Sequence, residues 1–447
     1  MDTSDILECD LLVIGAGMAG LSAAARAAEG GAKVVVIDKA KDIGGSAIIS
    51  GGFVWTVPST RKMRYVGNGD PALGAVVVDG YSDAIVWLRS RDVQMSGPHN
   101  VMYGRGYQID IIGHLRSCVA SVEHAGGVVV PETVTERLVT DEHGRVIGAD
   151  TTHRDGAVRV LANNTIIATG GFQGSADLRA EYIHPHARSI PLRSNPCSTG
   201  DGLQLGTAVG GHLSDGHNPG FYGHLLCYPA SLDHPSKFAV LTQYHSEFSV
   251  LLNKQGQRFC DESLGDHLNA QETLTRTDAL ALLVWDQRIE EEYVMKAFVE
   301  GIPPVDKLAV ALAQGAKGAL CPTLDDVARH ADEWGFDGAA GRATLERYSA
   351  VVRSAPETLH PCIEGALLPN DKPPYRALVV QPAITFTHAG LAADDRARAL
   401  DSRGQPIPGL LVAGADVGNT FRRGYAGGLA AALTFGLRAA QTATGDR

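Results

Sequence analysis

The chain predicts an α/β fold, a parallel sheet flanked by helices, and two observations near its start carry that expectation. An apolar run, Leu11 to Ile14, meets glycines at Gly15, Gly17 and Gly20 and passes into an alanine-rich stretch, Leu21 to Ala28. A second apolar run, Val34 to Ile37, ends at Asp38. Strand, glycine turn, helix, strand and acid in this register make a Rossmann-like dinucleotide-binding unit. Gly15 permits the turn, Gly17 lets the backbone approach a phosphate, and Gly20 lets helix and strand pack closely. The amides and dipole at the start of the helix suit a pyrophosphate. Asp38 stands where a carboxylate accepts hydrogen bonds from a ribose hydroxyl.

The segment that follows selects among dinucleotides. Lys39 adjoins Asp38 and is assigned to the cofactor with it. A second cluster then supplies Gly44, Gly45, Ser46, Ser50, Gly51 and Gly52 around the apolar Ala47-Ile48-Ile49. A nicotinamide domain passes to its next helix here, whereas a flavin ring needs a close-packed backbone of this kind against it. No second glycine-rich strand-to-helix turn offers a nicotinamide site, since Gly200 to Gly206 has a polar approach. Electrons leaving the flavin are therefore expected to reach an external acceptor, a quinone or oxygen.

With those segments, Asn164 to Phe172, Ser198 to Gly206, Leu252 to Phe259, Ile407 to Gly414 and the pair Gly427-Gly428 occur in order along nearly the whole chain. In these motifs it resembles the flavoprotein family of fumarate reductases, succinate dehydrogenase flavoprotein subunits and ketosteroid dehydrogenases. The resemblance implies an FAD-binding domain from both ends of the chain, 1–215 and 355–447, with an inserted α+β cap domain at 216–354. It adds Val134, Thr169, Gly170, Asp201, Gly414, Asp416, Gly428 and Leu429 to the cofactor residues. A final helix, about Leu429 to Thr444, aims its first amides at the flavin pyrimidine. Family members that attach FAD covalently do so through a histidine whose place is taken here by Gly45, so non-covalent FAD is expected.

Composition narrows the function classes. A length of 447 residues favours two domains. A net charge of −11 argues against nucleic acid and against a basic membrane patch. The sequence shows no run of about 18 apolar residues and no signal peptide at its start, so a soluble cytoplasmic protein is expected. Seven scattered cysteines, never two residues apart, argue against iron–sulfur, haem and zinc sites.

The substrate positions depart from the dicarboxylate enzymes of the family. Two arginines and a histidine that bind and polarise a dicarboxylate in those enzymes fall at Gly265, Thr385 and Tyr425 here. A dianion without cationic partners bears several kcal/mol of desolvation per carboxylate. Arg422 and Arg423 are near enough in sequence to serve one carboxylate. Arg423-Gly-Tyr-Ala-Gly-Gly-Leu429 looks more like the terminal segment of ketosteroid dehydrogenases, although a serine expected two residues after the tyrosine is Gly427. A phenol can hydrogen-bond a ketone oxygen or move a proton without demanding an anion. In the cap, Tyr228 replaces a family histidine, and Tyr222, Tyr228, Tyr244 and His245 are candidates to line a pocket for an apolar ketone. Glu290 to Glu292 and Asp394 to Arg398 read as solvated surface.

The expected reaction is flavin-dependent formation, or reduction, of a C=C bond beside a carbonyl. The catalytic candidates are Tyr425, Tyr228, Tyr244 and Arg423, with no metal. A 3-ketosteroid or another apolar cyclic ketone is the expected substrate. Fumarate-reductase-like reduction of an enoate, an electron-transfer subunit and a flavin-binding sensor are the competing readings.

Overall fold

Strand β1 spans Ile6–Ile14, and only its last four residues, Leu11 to Ile14, are wholly buried. Its alternating first half extends the strand beyond the apolar run, because a strand half exposed to water needs no continuous hydrophobicity. The computed structural model describes residues 6–214, 219–296 and 304–445. The chain divides into two compact units: Met1–Leu178 with Ser194–Phe221 and Phe386–Arg447, and Arg179–Arg193 with Tyr222–Thr385.

In the first unit, α1 (Met18–Glu29) connects β1 to β2 (Val34–Ile37). Strands β3 (Val128–Val130), β4 (Gly156–Ile167) and β5 (Pro406–Val412) complete a parallel core in the order β5, β4, β1, β2, β3. Leu11 pairs with Val34 on one side and Asn164 on the other. Antiparallel strands extend the sheet at Arg398–Leu400 and at Val146–His153. The carboxyl ends of β1, β4 and β5 stay in step beyond the strands: Ala168 N donates to Ile14 O and Ala413 N to Ile167 O, both at 2.8 Å. Ligands of open α/β sheets lie beyond this edge.

The last helix, α2 (Gly428–Thr444), packs on α1. A Cβ on Gly436 would stand 2.5 Å from Ala19 O, so glycine sets how closely the two helices approach. Helix Pro71–Ser90 is long and apolar enough by length and composition to cross a membrane. Here Leu73, Val76, Val77, Ile85 and Leu88 are buried in the unit.

The second unit is α+β. Its sheet runs in the order Phe221–Cys227, Tyr375–Thr387, Ala281–Trp285 and Val250–Leu252, with Gly318–Cys321 also on Tyr375–Thr387. Alternation along Ala281–Trp285 sends Leu283 and Trp285 to one core, and Leu282 and Val284 to another. Pairing of Leu378 with Leu283 and of Ala377 with Ala319 draws 375–385 into this unit, a limit different from the sequence-based one at 355.

Glu290 departs from its expected place at the surface. It is buried, accepts a hydrogen bond from Trp285 Nε1 at 2.7 Å and pairs with Arg376 Nε at 3.3 Å. Both partners belong to sheet strands, one of them 86 residues away in the chain, so the local acidic run carried no sign of them.

Candidate active site

The glycine turn after β1 is built as its spacing implies. Gly15 has φ +110, and a Cβ there would stand 2.2 Å from Ala168 O. A Cβ on Gly20 would meet Gly15 O at 1.9 Å. Gly17 is different: the nearest atom to its Cβ position is Gly44 O at 4.0 Å, so its face is open. Gly17 also forms a parallel bridge with Gly44, and Gly44 N donates to Ala16 O at 2.8 Å. The second glycine cluster thus lies on the first.

Around this turn, Asp38 Oδ2 accepts from Ala16 N at 2.7 Å and Oδ1 from Ala40 N at 2.8 Å. Asp38 therefore braces the turn itself, in addition to the ribose role expected of it. Lys39 pairs with Asp201 at 2.7 Å and donates to Thr199 Oγ1 at 2.5 Å. Ser46 Oγ meets Ser194 Oγ at 3.1 Å. Ser50 is engaged locally, donating to Ala47 O at 2.7 Å and accepting from Gly52 N. Val134 is exposed and follows Thr133, whose amide donates to Asp38 O at 2.8 Å.

Buried Asp416 gathers the end of β4. It accepts from Gly170 N at 2.9 Å and from Thr169 Oγ1 at 3.1 Å, and Thr169 Oγ1 accepts from Gly202 N at 3.0 Å. Burial raises its carboxyl, while the Gly170 and Thr169 hydrogen bonds oppose that rise. Gly414, with φ +72, starts the turn that delivers Asp416.

Tyr425 lies before α2 in an aromatic group. Its ring centre is 5.5 Å from Trp55, 5.6 Å from Phe386 and 5.9 Å from Phe421. Buried His388 joins the group 5.6 Å from Phe386. The Tyr425 hydroxyl is 3.5 Å from where a Cβ on Gly428, the first residue of α2, would stand. Helix α2 begins at Gly427 without a side-chain cap, and α1 begins likewise at Gly17. Two helix starts thus present amides that no side chain caps. Arg422 and Arg423 are exposed.

In the second unit the cap candidates separate. Tyr228 packs on the core that holds Leu252 and Leu345, with Lys317 Nζ 5.9 Å from its ring centre. His245 is buried 4.6 Å from Trp285. Tyr222 and Tyr244 instead flank His224, with ring centres 4.9 and 5.6 Å away. Tyr222 and His224 share one face of Phe221–Cys227, being two residues apart on a strand. His224 Nδ1 makes a short hydrogen bond to Asp266 Oδ2, and Nε2 lies 3.0 Å from Tyr222 Oη. Asp266 Oδ1 accepts from Leu225 N at 3.0 Å.

Two cations accompany this group. Arg193 Nη1 donates to Thr385 Oγ1 at 3.2 Å. Lys307 lies 5.4 Å from the Tyr244 ring centre and donates to Ala239 O and Val240 O. Burial pushes Asp266 up to about 8 and Lys307 down to about 8. Burial, with the Arg193 charge, holds His224 well below its usual range. Arg258 of the Gly-Gln-Arg-Phe segment is not part of the group: it is buried against Glu262, with Nε to Oε1 at 2.9 Å, and holds Pro361 O.

Residues 10–76 and 109–430 match the model of the FAD binding domain family. The chain belongs to that family. Fumarate reductase (cytochrome) of Shewanella frigidimarina is 27% identical, over 97% of this chain and 76% of that protein. The 4-oxocyclohexanecarboxylate 2-dehydrogenase of Sinomonas cyclohexanicum is 25% identical over 98% and 93%. The crystal structure of 3-ketosteroid-Δ4-(5α)-dehydrogenase from Rhodococcus jostii RHA1 shares the fold, with a TM-score of 0.77, 21% identity and coverage of 99% and 98%. The chain is an FAD-dependent oxidoreductase, similar in sequence to fumarate reductase and in fold to a ketosteroid dehydrogenase.

The residues present fit FAD. The open face of Gly17 at the uncapped start of α1 suits a pyrophosphate. The uncapped start of α2 suits an electron-rich ring edge. The glycines, Asp416 and Tyr425 are named from the sequence, whereas Trp55, Phe386, Phe421, Arg193 and the His224–Asp266 pair enter only with the structure. Of these, only the Tyr222-x-His224 spacing on a strand left a signal in the sequence.

Proposed function

We propose that the protein introduces, or in reverse reduces, a C=C bond beside the carbonyl of an apolar cyclic ketone such as a 3-ketosteroid. One observation carries this reading: Tyr425 stands among Trp55, Phe386 and Phe421, while the neighbouring residues Arg422 and Arg423 are exposed. An aromatic wall whose polar groups are a phenol and the buried His388 suits a neutral ring ketone better than a dianion.

Bound FAD supplies a hydride acceptor or donor. The chain supplies the rest. Tyr425 donates a hydrogen bond to the ketone oxygen, and the start of α2 favours the negative charge that gathers there as the α-proton leaves. Trp55, Phe386 and Phe421 orient the ring and keep water away. FAD is held without a covalent bond, because Gly45 stands at the attachment position and packs toward Gly17, its Cβ position 3.7 Å from Gly17 Cα. The electrons pass to an external acceptor.

A second reading, reduction of an enoate, draws support from Arg193. Its guanidinium reaches Thr385, one of the positions at which the sequence lacks the charge of the dicarboxylate enzymes. Incubation with an artificial electron acceptor and a panel of saturated cyclic ketones tests the first reading. Products two hydrogens lighter, formed from ketones and not from succinate, are expected; products from succinate alone would favour the second.

A further inference from the structure

A chain of hydrogen bonds inside the first unit ends on a hydroxyl whose proton the protein leaves without an acceptor. Buried Gln173 stands just past the end of β4, and its Nε2 donates to Gly170 O at 3.0 Å and to Ser194 Oγ at 3.4 Å. Ser194 is also buried, with its Oγ 3.1 Å from Ser46 Oγ. We propose that Gln173 and Ser194 are positioning residues that turn the Ser46 hydroxyl outward as a donor to the ring of bound FAD, where it favours the reduced form. The inference rests on FAD binding and holds whichever substrate is oxidised.

A count of protons fixes the direction of the chain. Gly170 O is a carbonyl and accepts only from the amide nitrogen, so the nitrogen of Gln173 also faces Ser194. Ser194 Oγ accepts there, and among the described residues Ser46 Oγ is the one acceptor within reach of its own proton. A buried donor left unpaired bears its full desolvation cost, so Ser194 donates to Ser46. The Ser46 proton then has no acceptor among the described residues, and Ser46 is only half-buried. The chain thus runs from the interior to one accessible O–H.

Backbone geometry holds both ends. Gly171 has φ +81, and Gln173 Oε1 lies 2.9 Å from where its Cβ would stand, so glycine leaves the room that the amide fills. Gly170 N donates to Asp416 Oδ2 at 2.9 Å while Gly170 O accepts from Gln173, which fixes the turn the amide springs from. At the other end, Ser46 lies in the short helix Gly45–Ile49, directly after Gly44, the bridge partner of Gly17. Asn195, next to Ser194, brings Nδ2 to 3.8 Å from the Cβ position of Gly45. Gly17 serves the pyrophosphate, and the segment beyond Gly44 is the one assigned to the flavin ring. The chain therefore ties that segment to the carboxyl end of β4, the edge beyond which ligands of open sheets lie.

The consequence is electrostatic. A flavin ring gains negative charge on reduction, and a hydrogen bond to a charged acceptor is about twice as strong as one to a neutral acceptor. A donor held in place stabilises the reduced ring more than the oxidised one and so raises its potential. Ser46 by itself has a second choice, to donate back to Ser194. Gln173 removes that choice by donating to Ser194 Oγ, which commits the Ser194 proton to Ser46.

Spectroelectrochemical titration of the FAD-loaded protein tests the inference, with FAD affinity and apo-protein melting measured on the same variants. Ser46→Ala and Gln173→Met should each lower the two-electron midpoint potential by about 30 mV, a tenfold change in the ratio of reduced to oxidised affinity. Ser46→Thr keeps the hydroxyl and should hold the wild-type value. Because the residues act in series, the double variant should fall no further than Ser46→Ala alone. Where Gln173→Met does not fold, Ser194→Ala interrupts the same chain and carries the same expectation. An unchanged potential in Ser46→Ala, or additive losses in the double variant, overturns the inference. Weaker FAD binding or lower melting at an unchanged potential also overturns it and leaves Gln173 and Ser194 as a tie between loops. No readout involves a ketone, so failure of the substrate reading is distinguished from failure of this one.

Discussion

Arg193 donates to Thr385 Oγ1 at 3.2 Å, which brings a guanidinium to a position that the sequence marks as uncharged. Among the described residues no carboxylate pairs with it. On the second reading proposed above, this guanidinium would serve a single substrate carboxylate. A charge-assisted hydrogen bond contributes about 1.5–3 kcal/mol. Arg193→Met should weaken a cyclic ketone that bears a carboxylate by roughly 10- to 100-fold while leaving an uncharged ketone unaffected. Competition measurements with matched acid and neutral ketones decide it, and equal losses for both would remove Arg193 from substrate binding.

Gly17 separates cofactor binding from folding. Its Cβ position meets nothing closer than Gly44 O at 4.0 Å, so Gly17→Val leaves the turn intact while filling the face a pyrophosphate needs. FAD affinity should fall about 100-fold, with the apo protein melting where wild-type apo protein does. Retention of stoichiometric FAD would place the pyrophosphate elsewhere.

The buried pair of Arg258 and Glu262 should govern the stability of the second unit. Their side chains are 3% and 2% exposed, and removal of one partner leaves the other charged in an apolar interior. Glu262→Gln is expected to cost about 3–5 kcal/mol in denaturant unfolding. A change under about 1 kcal/mol would show that water or another group reaches Arg258.

A pH dependence follows from Glu247, which burial and then the Asp266 charge push up from 4.5 to about 7. Between those values the folded state binds a proton that the unfolded state releases, so stability falls as pH rises across that window. Glu247→Gln removes this slope and should stabilise the protein by about 1–3 kcal/mol at pH 8, with little effect at pH 4. Chemical denaturation at several pH values checks the sign; a gain confined to acid pH would refute the assignment.

How much was legible from sequence depended on distance along the chain. Strand, glycines and helix from Leu11 to Ala28 are local, and each glycine's role could be read from its neighbours. Tyr425 was found because a short motif surrounds it. The His224–Asp266 pair joins residues 42 apart on different elements, and Arg193 meets Thr385 across 192. Glu290 looked solvated because its partner Arg376 arrives from another strand. The positions taken by Gly265 and Thr385 read as missing charges, since an alignment by motif cannot see a cation supplied from outside the motif.

The central claim is that a ketone, held at Tyr425, delivers hydride to FAD. Anaerobic absorbance titration of the yellow protein tests it most directly, with saturated 3-ketosteroids, smaller cyclic ketones and succinate as titrants and Tyr425→Phe in parallel. Loss of the flavin band with a ketone, absent with succinate and slowed about 100-fold or more in Tyr425→Phe, is the predicted result. Bleaching by succinate alone would contradict the account and return the protein to the dicarboxylate enzymes of its family.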